Sequence, residues 1–133
     1  MILYLDPSAW IKRYVSEPGS ELLRGLEAKA RAAFMSRIGF VEMHAALGRR
    51  HDPQQIDRFR RDWRKVQVVE FNDAVAERAA SIAQDRELRT IDAVHLASAL
   101  SLGQGDLTFA TWDRRLHAAA VARGLAVWPA TLD

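Results

Sequence analysis

Four acidic residues stand where a carboxylate can do chemistry. Asp6 follows an apolar run at the start, Glu42 interrupts an apolar helical pattern, Asp92 sits in Thr90-Ile91-Asp92-Ala93, and Asp113 follows the run Leu107 to Thr111. Three of them have an ordinary alternative. Asp6, Asp92 and Asp113 fall at or just inside the starts of predicted helices, where a carboxylate caps free amides and faces the positive end of the dipole. Glu42 does not. A helical wheel puts it between Ile38, Ala45 and Ala46, on a small apolar face where a lone carboxylate would be costly to bury. The same helix carries Phe40, Met43 and Leu47 on a second apolar face, assigned to core or to a subunit contact. Asp92 shares its face with Leu96 and Ala99 and is therefore expected to point inward. Carboxylates that converge repel: two unit charges roughly 4 Å apart cost on the order of 4 kcal/mol at an effective dielectric of about 20. Such a cluster implies a bound cation or protonation. Oxygen donors, with no cysteine and no paired histidines, favour Mg²⁺ or Mn²⁺ over zinc.

Other chemistries are harder to assemble. The absence of cysteine excludes disulfides, zinc-thiolate sites and thiol nucleophiles, and fits a reducing compartment. Metal-free general acid–base hydrolysis usually needs two histidines as base and acid, and His44, His51, His95 and His117 show no such pairing. His95 is assigned to packing or to the surface. Arginine far outnumbers lysine, and guanidinium grips phosphate with two parallel hydrogen bonds. Arg58, Arg60, Arg61, Arg64 and Lys65 form a basic stretch, but Asp57 and Asp62 interrupt it, which favours a solvated helix face. Arg114 and Arg115, beside Asp113, are better placed for substrate. Trp10, Trp63 and Trp128 read as core or interface; Trp112, next to Asp113, is the one that could meet a ligand.

The elements that must position these groups alternate between strand and helix. Ile2 to Leu5 reads as a buried strand, followed by a helix over Ser8 to Val15 with Pro7 in its first turn, a loop at 16–19, and a helix over Ser20 to Ala30 capped by Ser20. Ala32 to Ser36 is strand two and Arg37 to Arg50 a helix. Asp52-Pro53 opens another helix, with Ile56, Phe59, Trp63 and Val66 as its apolar stripe. Strand three is expected over Val66 to Phe71, a helix over Asn72 to Asp85, a helix from Thr90 as cap to Leu102, strand four over Leu107 to Thr111, a helix over Asp113 to Arg123, and a short last strand over Ala126 to Trp128. This alternation indicates an α/β layer fold with a parallel sheet covered on both faces. Ligands in such sheets bind at the carboxyl ends of strands near the point where strand order reverses, and Asp6 and Asp113 both fall at that edge.

With 133 residues, 49% of them hydrophobic, the chain suits one domain over 1–133. The formal net charge is +2, and the isoelectric point is near 9.4. The N-terminal apolar run breaks at Asp6 before it could serve as a signal core, and no later run is long enough to span a bilayer. A cytoplasmic protein without membrane contact is the expectation.

Four segments carry a family resemblance: Tyr4-Leu5-Asp6-Pro7-Ser8-Ala9, Ser36 through Glu42, Leu88 through Ala97, and Phe109-Ala110-Thr111-Trp112-Asp113-Arg114-Arg115-Leu116. In order and spacing, over nearly the whole chain, they resemble the PIN-domain ribonucleases, especially the toxins of VapBC-type toxin-antitoxin pairs. Pro7 departs from the pattern at a helix start that tolerates proline. The resemblance implies a three-layer α/β/α domain with strand order 3-2-1-4-5, which puts strands one and four side by side. It also implies a Mg²⁺-dependent endoribonuclease whose acids correspond to Asp6, Glu42, Asp92 and Asp113, assisted by the hydroxyls of Ser8 and Thr111. Asp6 and Asp92 are taken as main metal ligands, Asp113 as a further ligand, and Glu42 as the group that orients or deprotonates water. The implied partners are RNA, a cognate antitoxin and a second copy of the chain, with the second apolar face of the Glu42 helix as dimer surface.

Two other classes are kept beside it. An aspartyl-phosphate phosphatase would want a second acid two residues after Asp6, where Ser8 stands, and a receiver domain would want neighbouring acids and a late lysine. A PIN-like module that only docks RNA or a partner is argued against by the presence of all four acids.

Overall fold

The computed structural model describes every residue except Gln104 and Asp133. Five parallel strands, β1 (Ile2–Leu5), β2 (Ala32–Ser36), β3 (Gln67–Val69), β4 (Leu107–Ala110) and β5 (Ala126–Trp128), form one sheet of order β3-β2-β1-β4-β5. The central strand β1 pairs Tyr4 with Phe34 on one side and with Phe109 on the other. Its four residues are all buried, as a strand covered on both faces requires. Side chains alternate across it. Ile2 and Tyr4 enter one core with Val75, Leu96, Phe109 and Leu116, while Leu3 and Leu5 enter the other with Trp10, Leu23, Met43 and Phe59. The first core lies under α5 (Asp73–Ile82), α6 (Thr90–Ser101) and α7 (Arg114–Ala122). The second lies under α1 (Pro7–Trp10), α2 (Ser20–Lys29), α3 (Arg37–Gly48) and α4 (Pro53–Trp63). The three-layer α/β/α arrangement and the strand order expected above are both present.

Local chemistry accounts for most element starts. Asp6, Ser36, Asp52, Asn72 and Asp113 each accept a backbone amide as the N-cap of α1, α3, α4, α5 and α7. Several expectations need correction. The helix expected to Val15 is one α turn followed by a 3₁₀ turn, Ile11–Arg13, tightened so that Tyr14 can turn back into the core at 5% exposure. Ser20 is not the cap of α2; Gly19 is, with φ +96°, while the Ser20 hydroxyl accepts from Glu17 N and donates to the Val15 carbonyl. A Cβ at Gly19 would stand 2.9 Å from the Trp112 indole, so the loop and the candidate site share this close approach. Thr90 does not cap α6 either, since Arg89 holds that position without a side-chain cap bond. Strand three is shorter than expected because the chain is still leaving the preceding helix through turn bonds at Lys65 and Val66.

The proposed subunit face is also corrected. Met43 and Leu47 are wholly buried within the chain, and Phe40 packs on Phe59 and Trp63. That face of α3 is core. The exposed large apolar side chain on α3 is Val41, at 62% exposure. Among the described residues no helix is long and apolar enough to cross a membrane.

Candidate active site

Adjacent placement of β1 and β4 brings the ends of both strands together at the point where strand order reverses. Asp6, just past β1, is 4% exposed. Its Oδ1 accepts from Ala9 N at 3.0 Å and from the Ser8 hydroxyl at 2.7 Å. Its Oδ2 accepts from the Thr111 hydroxyl, also at 3.0 Å. Thr111 Oγ1 in turn accepts from Asp113 N at 3.0 Å, and Ser8 Oγ accepts from Trp112 N at 2.9 Å. Two hydroxyls therefore stitch the end of β1 to the loop after β4 and fix Asp6 relative to Asp113.

Asp113 caps α7 through Oδ1, which accepts from Leu116 N at 3.0 Å. Its Oδ2 meets Arg89 Nη2 at 3.4 Å. The same guanidinium donates to both oxygens of Asp92, at 3.0 and 3.3 Å. Asp92 is 4% exposed, and its partner is this guanidinium rather than a backbone amide, so capping does not explain it. Glu42, on α3, accepts from His95 Nε2 on α6 at 2.5 Å, with its side chain 24% exposed.

Three of the acids thus lie on one connected set of contacts, Asp6 through Thr111 to Asp113 and Asp113 through Arg89 to Asp92, while Glu42 is held separately by the imidazole three residues along α6 from Asp92. They do not form a ready chelate. Among the described residues no three acids or histidines approach closely enough to hold one ion. Asp6 and Glu42 are each held by their own donors, while Asp92 and Asp113 share the Arg89 guanidinium. An open cavity of about 470 Å³ is lined by Asp92 and Asp113 together with Arg89, Trp112, Arg114 and Arg115. Arg114 and Arg115 are exposed and line it.

Burial pushes the Asp6 carboxyl up to about 6, while the imidazole of His95 and the bonds from Ser8, Ala9 and Thr111 pull the other way. Its native pKa is raised above the ordinary carboxylate value. Its contribution to stability is therefore fully present below pH about 4 and is lost as pH rises through about 6. In chelator, wild type should gain stability relative to Asp6→Asn as pH falls from 7 to 4.5. Urea midpoints of the two proteins that track in parallel over this window would contradict the shift.

Two participants escaped the sequence: Arg89 and His95. His95 carried a legible signal, because it lies three residues after Asp92 and so shares its helix face. Nearby, Lys12 is buried and paired with Glu17 at 3.0 Å, and its Nζ lies 4.9 Å from the Trp112 ring centroid. It also lines a separate cavity of about 420 Å³ with Arg13, Arg24 and Arg58.

A family model described as PIN domain matches residues 3–122. Ribonuclease VapC49 of Mycobacterium tuberculosis is 40% identical over 141 aligned positions that cover 99% of this chain and 98% of the relative. Two solved structures share the fold. A toxin-antitoxin complex from Klebsiella pneumoniae aligns with TM-score 0.75 at 20% identity, over 98% of this chain and 99% of that one. The sarcin-ricin loop cleaving toxin VapC20 of Mycobacterium tuberculosis aligns with TM-score 0.76 at 18% identity, over 88% and 94%.

Proposed function

This chain belongs to the PIN-domain family, and from that premise we propose that it is a Mg²⁺-dependent endoribonuclease acting as the toxin of a toxin-antitoxin pair. The observation that carries the proposal is identity of 40% across the whole length to a relative named as a ribonuclease. The linked acids at the switch point supply chemistry to match.

The donors suit a hard divalent cation. They are carboxylate oxygens; buried Asp6 is satisfied by two hydroxyls and one amide, and Asp92 and Asp113 already share one positive charge, that of Arg89. Asp6, Asp92 and Asp113 would hold Mg²⁺, or Mn²⁺ in its place, with Glu42 beside them. When bound, the ion supplies Lewis-acid charge that lowers the pKa of water and stabilises a leaving 3′ oxygen. Ser8 and Thr111 keep Asp6 oriented. Glu42 orients or deprotonates the attacking water. Arg114 and Arg115 take the scissile phosphate as exposed guanidinium groups beside Asp113. The products carry a 5′ phosphate and a 3′ hydroxyl.

The toxin-antitoxin complex among the structural neighbours supports an antitoxin as partner. A homodimer is part of the same proposal, with Val41 as the exposed apolar side chain α3 can offer. Expression in a bacterial host should arrest growth, and co-expression of the protein from an adjacent short reading frame should relieve the arrest. Normal growth, together with intact total RNA after incubation with purified protein and Mg²⁺, would remove the toxin and nuclease assignments at once.

A further inference from the structure

Tyr4 and His95 are titratable, 0% and 1% exposed, and have no task in the reaction proposed above. They sit in the core under α5, α6 and α7, with Tyr4 stacked on Phe109 at 5.3 Å and edge-on to His95 at 5.9 Å. A hydroxyl and an imidazole in such a place add little stability over apolar groups of the same shape. Their hydrogen bonds, however, run in one direction. Tyr4 Oη accepts from Ser36 N at 3.0 Å and lies 2.8 Å from His95 Nδ1. The Glu42 carboxylate, with Oε1 2.5 Å from Nε2, can only accept, so Nε2 is the ring donor. In the neutral imidazole Nδ1 is then the acceptor to which the Tyr4 hydroxyl, with one lone pair taken by the Ser36 amide, donates.

We propose that Tyr4 and His95 are positioning residues for Glu42. The Ser36 amide, at the junction of β2 and α3, orients the Tyr4 hydroxyl; the hydroxyl selects the imidazole tautomer; and the imidazole holds Oε1 of Glu42 by a donated hydrogen bond. The carboxylate is thereby fixed from α6 although it belongs to α3. Rotation of a partly exposed glutamate side chain would otherwise dilute its productive orientation. The inference rests on the nuclease role given to Glu42 above.

Two measurements test it. In the metal-free protein labelled with ¹⁵N-histidine, long-range ¹⁵N–¹H spectra should show His95 protonated at Nε2, with Nδ1 as acceptor, and Tyr4→Phe should shift the Nδ1 resonance. A His95 protonated at Nδ1 overturns the proposal, whether or not RNA is cleaved. The second measurement is a double-mutant cycle on RNA cleavage. Tyr4→Phe and His95→Leu should each lower kcat by roughly 10-fold or more with KM changed by less than about 2-fold. His95→Gln, which keeps an amide donor, should recover part of the loss. In a Glu42→Gln background the same changes should cost less than about 2-fold, because their route of action is gone. Tyr4→Phe removes one oxygen only, which keeps the test usable if His95→Leu folds poorly. Losses that multiply with that of Glu42→Gln, or a folded Tyr4→Phe with unaltered kcat, would overturn the positioning role. A wild type inert toward RNA would instead remove the nuclease role, with the spectra still deciding the direction of the relay.

Discussion

Asp92→Asn should lower Mg²⁺-dependent RNA cleavage by about 10³-fold or more while leaving the fold intact. Asp92 is buried to 4% exposure, yet α6 does not depend on it: Arg89 holds the N-cap position without a side-chain cap bond, and the Asp92 carboxylate spends both oxygens on the Arg89 guanidinium. Asparagine keeps the shape and one acceptor and removes the charge. Asp6→Asn should have the same effect on cleavage and, in addition, raise stability. Its amide oxygen can still accept from Ala9 N or a hydroxyl, and the buried charge that desolvation opposes is gone. In chelator at pH 7 that variant should therefore melt higher than wild type while cutting RNA far more slowly, the trade expected where a site stores unfavourable charge. Circular dichroism and melting curves would establish the fold, and initial rates on a labelled RNA the activity. Well-folded variants that cut at the wild-type rate would sink the role given to these acids.

What was legible in the sequence divides by the distance over which a contact acts. The apolar run of β1 and the caps Asp6, Asp52, Asn72 and Asp113 are local patterns, and the structure has them in place. Ser20 and Thr90 have the same chemistry as true caps. Ser20 was drawn instead to the carbonyl of Val15, and Arg89 took the place before Thr90, choices that depend on how the loop packs. Glu42 was recognisable as misplaced on an apolar face, but its reason is His95, 53 residues away. Arg89 joins an acid three residues on to another 24 residues on, and no periodicity registers the second contact. The candidate dimer face failed for a related cause: Phe40, Met43 and Leu47 form a stripe that a wheel cannot assign to its own core or to another chain.

Chelation should reduce cleavage to background, and added Mg²⁺ should restore it. The histidines leave little room for a metal-free route. His95 is enclosed between Tyr4 and Glu42, His117 Nε2 is 2.7 Å from the Pro129 carbonyl oxygen, and His44 Nδ1 is likewise 2.7 Å from that of Phe40. His51 sits in the turn after α3, on an exposed backbone with φ 53°. These placements do not pair two imidazoles across a phosphate, as a base and acid would require. The acids have the complementary problem, a concentration of negative charge that Arg89 relieves only for Asp92 and Asp113. The Arg89 side chain is 72% exposed, so this pairing is worth less than about 1 kcal/mol and yields readily. Arg89→Ala should accordingly lower the melting temperature slightly in EDTA and increase the upward shift that Mg²⁺ produces, because the added ion then supplies the positive charge that the guanidinium no longer shares. Full cleavage in excess EDTA, with melting temperatures of both proteins indifferent to Mg²⁺, would leave the carboxylates as caps and ion-pair partners and would overturn the metal-dependent mechanism.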